Sequence, residues 1–143
     1  FNIFYVDNKG KKQRPIMIHR ALLGALERFI GVLIEYYAGA FPLWLSPVQA
    51  WVIPVGANHR KYAKEIGEIL KTNGIRIEVK DESETLSKKI REGELQKIPY
   101  LLVVGDKEIK TKSVRVRSRN QDLGMIKLAK FLEKIKLEIE KKH

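Results

Sequence analysis

"IPYLLVVG", residues 98–105, is the most apolar run of the chain, with four aliphatic side chains in succession from Leu101 to Val104. So short an apolar run fits a strand buried on both faces, which places it at the centre of a sheet. Working outward, "AWVIPV" (50–55) reads as a second strand, "NGIRIEV" supplies a Gly74 stop and a strand over 75–79, and "SVRVRSR" (113–119) alternates with period two. "GDKE" (105–108) reads as a hairpin turn between the central strand and the alternating one. The segments between the strands have helical spacing. Asn58 can cap a helix over 59–72 with Tyr62, Ile66, Ile69 and Leu70 inward; a charge-rich helix follows over 84–96. A last helix over 125–141 turns Ile126, Ala129, Leu132, Ile135 and Ile139 inward. The order βαβαββα predicts an α/β fold, a mixed sheet flanked by helices, as one domain over residues 49–143.

Upstream, "RPIMIHR" (14–20) alternates enough to read as a short strand, and Pro15 limits it to an edge or a strand start. From Leu22 the spacing changes: Leu22, Leu23, Leu26, Phe29, Ile30, Leu33 and Ile34 predict a helix to Tyr37, stopped by Gly39 and Pro42. "AFPLWLSPVQ" (40–49) carries two prolines among bulky apolar residues and reads as a packed connector. The chain is therefore expected to divide into residues 1–46 and 49–143.

The 143 residues carry 28 Lys+Arg against 17 Asp+Glu, a formal net charge of +11. Such a basic surface favours polyanions; Lys- and Glu-rich chains are also common in heat-stable proteins. No cysteine is present, which excludes disulfides, thiolate catalysis and cysteine-ligated metal centres within this chain. No apolar run approaches the roughly 18 residues that span a bilayer, and no signal-peptide pattern opens the chain. It begins at Phe1, which leads us to expect a piece of something longer. Phosphate-loop, nucleophile-elbow and HExxH patterns are absent, and His19, His59 and His143 do not stand at metal-ligand spacing. His59 reads most simply as a surface residue at a helix start.

Residues 107–119, "KEIKTKSVRVRSR", place Lys110, Lys112, Arg115, Arg117 and Arg119 close together, and strand alternation puts the three arginines on one face. That is a row of forked donors about 7 Å apart. It suits the phosphates and bases of a single nucleic-acid strand, and an arginine can hold guanine O6 and N7 together. A solvated edge strand protected from aggregation by positive charge is the plainer reading of the same row. In the helix after residue 22, Glu27 and Arg28 lie among Gly24, Ala25 and Gly31, small residues that let a ligand or another backbone approach. An arginine there can hold a phosphate or stack on a ring, or simply make a salt bridge.

These strings together resemble a known family. "GALERFIGVLIE" is similar to motif 3 of the class II aminoacyl-tRNA synthetases, and "RPIMIHRALLGALERFIGVLIEYYAGAFPLWLSPVQ" resembles the threonyl branch of that class. "NGIRIEV", "KIRE", "IPYLLVVGDKE" and "VRVRSRNQDLG" follow in the order of its C-terminal anticodon-binding domain. The resemblance implies that residues 1–46 end a catalytic domain and that 49–143 bind the anticodon stem-loop of a tRNA. It implies that Arg28 is the motif 3 arginine that packs on the ATP adenine and reaches the terminal phosphate. His19 falls at one of three protein ligands of a zinc that holds the threonine amino and hydroxyl groups, with the other two upstream of this chain. Arg91, Glu108 and Arg117 match positions that contact anticodon bases, with Arg115 and Arg119 beside them. Arg117 and Glu108 together suit the guanine at the second anticodon position, and Arg91 the uridine beside it.

Two positions depart from the pattern: Ser83 stands where relatives often have an anticodon-contacting Asn, and Ala25 replaces a Ser beside the motif 3 arginine. ATP with magnesium, and zinc, are implied for a full-length cytoplasmic ligase of protein biosynthesis, a homodimer through its own motif 1. This piece is expected to retain no cofactor, to be inactive alone, and to bind neither DNA nor membranes. Its own oligomeric state is open. The rivals are a prolyl, glycyl or histidyl synthetase of the same class and a non-catalytic tRNA-binding accessory domain.

Overall fold

A computed structural model describes residues 2–21, 23–119 and 121–142, and its contacts divide the chain into two units, Phe1–Val32 and Leu33–His143. In the first, β1 (Tyr5–Val6) pairs antiparallel with β2 (Lys12–Gln13). Asp7 organises the turn between them: its Oδ1 accepts from Lys9 N and Lys11 N at 2.9 Å each, and its Oδ2 from Gln13 Nε2 at 3.0 Å. These donors, the Lys11 amide first, hold its carboxyl below the usual carboxylate range. The strand expected over 14–20 does not form. A strand exists through its ladder, and the ladder of this unit is spent on β1 and β2.

Helix α1 (Leu26–Tyr37) runs through the division between the units. It begins later than the apolar spacing predicts because Leu23 and Gly24 take left-handed backbone, φ 62 and 70, which cannot continue an α-helix. Leu22, expected at its start, lies outside the described residues.

The second unit is built on a five-stranded sheet. Strands β3 (Ala50–Pro54), β4 (Ile77–Val79) and β5 (Tyr100–Val104) are parallel, with β3 between the other two; β6 (Ser113–Ser118) and β7 (Gln121–Lys127) continue antiparallel beyond β5. Every residue of β3 and β5 is buried, as their unbroken apolar sequence requires. Helices α2 (Arg60–Thr72) and α5 (Leu128–Lys141) supply Ile66, Leu70, Phe131 and Ile135 to one face of the sheet, against Val52, Leu102, Val104, Val114 and Val116. Helix α3 (Leu86–Leu95) covers the other face, where Leu86 and Ile90 pack on Trp51, Ile53 and Leu101. Thr85 caps it, its Oγ1 accepting from Lys88 N.

The expected mixed α/β architecture is present, with four local corrections. "GDKE" makes no hairpin turn: Gly105 is the extended N-cap of a short helix, α4 (Asp106–Thr111), with Glu108 at its third position, and acids in a first helical turn satisfy its free amides. Asn58 is not the cap of α2, since it sits inside a 3-10 turn (Ala57–His59) that precedes that helix. Ile69 and Ala129 face outward; Ala63 and Gly67 take the inward places on α2, and Phe131 on α5. Finally, β7 occupies residues given no element by the sequence pattern together with the expected start of the last helix. It is an exposed edge strand whose register with β6 shifts at Val116/Arg117, so its alternation is broken where a sequence pattern would have shown it.

Residues 40–49 pack as expected of a connector. Leu43, Ser46 and Gln49 are buried, and Arg76 donates from Nε and Nη2 to Ser46 O at 3.0 and 2.8 Å and from Nη2 to Trp44 O at 2.9 Å.

Candidate nucleic-acid interface

The two faces of the sheet are covered unequally. Along β6, Val114 and Val116 turn into the core under α2 and α5, so alternation turns Arg115 and Arg117 to the face that carries α3. In register, Arg117 lies opposite Leu101 and Arg115 opposite Val103. Helix α3 packs over Trp51, Ile53 and Leu101 and leaves the two arginines at the margin of its cover. Arg117 is bridged to the helix there by Glu94.

Both arginines are already paired with acids. Arg115 donates from Nε and Nη2 to Asp122 Oδ2 at 3.0 and 2.6 Å. The Arg115 guanidinium, helped by the Gly124 amide, holds the Asp122 carboxyl below the usual range. Arg117 donates from Nη2 to Glu94 Oε1 at 3.3 Å, while its Nε is buried without a partner among the described residues. Arg91 is exposed on α3, one turn before Glu94 and hence on the same side of the helix. Arg91 on α3 and Arg117 on β6 are thus related through Glu94, which follows the first by one turn and is bonded to the second.

Arg119 does not continue the row. It lies beyond the end of β6 with φ 43, and its Nη2 donates to Phe41 O at 2.7 Å and Ala40 O at 3.4 Å, which ties the connector to the sheet. Glu108 is buried at the start of α4; its Oε2 accepts from Gly105 N at 2.9 Å, and its other oxygen has no hydrogen-bond partner among the described residues. Arg117 lies opposite Leu101, near the start of β5, whereas Glu108 lies on α4 beyond the end of that strand. Ser83 lines a cleft of about 330 Å³ at the carboxyl ends of the parallel strands, with Pro54, Gly56, Arg60 and Lys89. Lys89 is buried and its Nζ donates to Lys80 O at 2.8 Å. Lys107, Lys110 and Lys112 stand exposed on α4 and at its end.

Three participants escaped the sequence. His59 is buried: its Nδ1 accepts from Gly56 N at 3.0 Å, and its Nε2 lies 3.1 Å from Asp106 Oδ1. Glu94 and Asp122 are the acids that hold Arg117 and Arg115. Glu94 carried a signal, three residues after Arg91 on one helix face; Asp122 carried one only for a reader who had placed β7.

In the first unit His19 and Arg28 are both exposed. A zinc site needs at least three protein donors, and no group of three His, Asp or Glu residues is assembled among the described residues; His19 alone does not fit one. A single exposed arginine does not make a nucleotide pocket either. Among the described residues no helix is long and apolar enough to cross a membrane.

The pattern of the anticodon binding domain matches residues 49–138. The chain belongs to that family. Over 99% of its length it is 54% identical to a threonine–tRNA ligase of Carboxydothermus hydrogenoformans and 50% identical to one of Clostridium novyi, covering 23% and 22% of those proteins. It therefore spans less than a quarter of the curated relatives it matches. Among solved structures, the RNA binding domain of threonyl-tRNA synthetase from Cryptosporidium parvum aligns with a TM-score of 0.76 at 33% identity, over 96% of this chain and 35% of that one. A prolyl-tRNA synthetase of the same organism aligns with a TM-score of 0.69 at 25% identity, over 96% of this chain and 30% of that one.

Proposed function

We propose that this chain is the C-terminal part of an ATP-dependent, cytoplasmic threonine–tRNA ligase and that residues 49–143 bind the anticodon stem-loop of its tRNA. Residues 1–46 then end the catalytic domain, with Arg28 toward ATP and His19 toward zinc in a site the rest of the ligase completes. The observation that carries the reading is the placement of exposed Arg91 and of Arg117 on elements joined by Glu94, α3 and β6, in a chain so similar to threonine–tRNA ligases. Arginines at the margin of a sheet suit single-stranded bases, and RNA is read in sequence mostly through unstacked loop bases. Arg117 supplies paired donors to guanine O6 and N7, Arg91 reaches the next nucleotide, and Glu108 and Ser83 line the carboxyl end of the sheet.

The test is binding of this chain to anticodon stem-loops that differ only at the second and third anticodon positions, at two salt concentrations. Preference for G then U that persists at higher salt supports the reading. Preference for G then G points to the prolyl branch, which the alignment to a prolyl enzyme makes worth including. Binding without preference leaves an accessory RNA-binding module. Arg117→Ala is expected to cost about 1–3 kcal/mol on the preferred stem-loop and to relax reading at the second position.

A further inference from the structure

Glu94 on α3 makes one ion pair among the described residues, with Arg117 of β6 at 3.3 Å. Both side chains are about one-third exposed, so the pair is of the kind that adds little to folding stability. Its consequence lies in what Arg117 can still do. A free guanidinium is attracted to any phosphate, and that attraction carries no sequence information. Guanine instead takes two donors from one arginine in a fixed geometry. Glu94 holds one terminal nitrogen, Nη2, while Nε is buried, so the donors left for a ligand are at the outer end of the guanidinium.

We propose that Glu94 is a specificity-determining, positioning residue: it fixes the Arg117 guanidinium to present its outer edge to a base, and its negative charge lowers the pull of that arginine on phosphate. The pairing of Arg115 with Asp122 removes the neighbouring arginine from phosphate competition in the same way. Exposed cations with no acid partner among the described residues, Arg91 on α3 among them, keep the general attraction to the backbone. This inference rests on the anticodon-binding reading above.

The experiment compares the whole chain with its Glu94→Gln and Glu94→Asp variants on stem-loops carrying G or A at the second anticodon position, at low and moderate salt. Glu94→Gln keeps the size of the side chain and removes its charge. It is expected to bind both stem-loops at least as tightly as the parent at low salt, to show a steeper salt dependence, and to lose G-over-A discrimination on the order of tenfold. Glu94→Asp is expected to keep part of the discrimination. In an Arg117→Ala background, Glu94→Gln is expected to change discrimination no further. A parent that discriminates and a Glu94→Gln variant that discriminates equally would overturn the inference and leave the anticodon reading standing. Equal loss of affinity for both stem-loops together with a lower melting temperature would also overturn it, as the mark of a purely structural residue. A parent that does not discriminate overturns the anticodon reading, and the role of Glu94 with it.

Discussion

His59 Nε2 lies 3.1 Å from Asp106 Oδ1, and through this pair the turn after β3 is tied to the helix after β5. The geometry sets the tautomer. Nδ1 accepts from Gly56 N, so the ring proton sits on Nε2 and is donated to the carboxylate. His59→Ala leaves the Gly56 amide without its acceptor and frees the start of α4. A loss of about 1–3 kcal/mol is expected from chemical denaturation, and an unchanged midpoint would show that water replaces the ring.

Two ion-linked groups place opposite slopes on stability. The Asp122 carboxyl is held down by Arg115, from an ordinary value of 3.8. The stability it contributes is therefore full above that value and lost as pH falls through its lower folded-state value. Tyr100 donates to Glu138 Oε2 at 2.6 Å, and burial followed by that carboxylate pushes its phenol well above 10.0. Its contribution is full below pH 10 and lost as pH rises through the higher folded value. In melting curves taken across pH, Asp122→Asn is expected to flatten the acid limb alone and Tyr100→Phe the alkaline limb alone.

Gly93 is the closest approach of α3 to the sheet. A Cβ built there meets Leu101 Cδ2 at 2.6 Å and Trp51 Cε3 at 3.1 Å. The leucine tip can swing, but the buried indole has little room, so Gly93→Ala is expected to cost roughly 1–3 kcal/mol by overpacking. Because α3 carries Arg91 and Glu94, stem-loop discrimination should weaken with it. Unchanged stability with unchanged discrimination would mean that the helix shifts without disturbing the Glu94–Arg117 pair.

The connector is held by arginines from two places in the second unit. Arg76 serves Ser46 O and Trp44 O, and Arg119 serves Phe41 O. Replacing both with alanine is expected to open residues 40–47 to proteolysis while the sheet stays folded, since none of these contacts belongs to a ladder. Mass spectrometry of the first cleavage products checks this, and cleavage elsewhere first would argue against the anchoring role.

Lys110 is exposed on α4 and reaches no acid among the described residues. Lys110→Ala is expected to weaken all stem-loops alike and to lower the salt slope by about one charge. The same measurement separates it from Arg117, whose loss should depend on the base.

Much of the sheet was legible because a buried strand advertises itself. Trp51 to Ile53 and Leu101 to Val104 are apolar in succession, and Val114 and Val116 alternate with arginines. Strand β7 was not legible, since one of its edges faces solvent, a register shift breaks its alternation, and Gly124 sits at φ 78. Glu108 was marked for its type and position, yet its local role, capping α4 through Gly105 N, was hidden by reading "GDKE" as a turn. His59 reads as a surface residue because a helix start is usually solvated; in the fold its ring is buried and held between the Gly56 amide and the Asp106 carboxylate.

By itself the sequence determined the order of the buried strands and long helices of residues 49–143, though not α4 or β7, and the clustering of cations near residues 110–119, because periodicity and composition are properties of neighbours along the chain. Only the tertiary structure decided which cations are free. Arg117 and Glu94 are 23 residues apart, and His59 and Asp106 are 47 apart. Such pairs exist only when sheet register and helix packing bring distant side chains within hydrogen-bond reach, which no local pattern encodes.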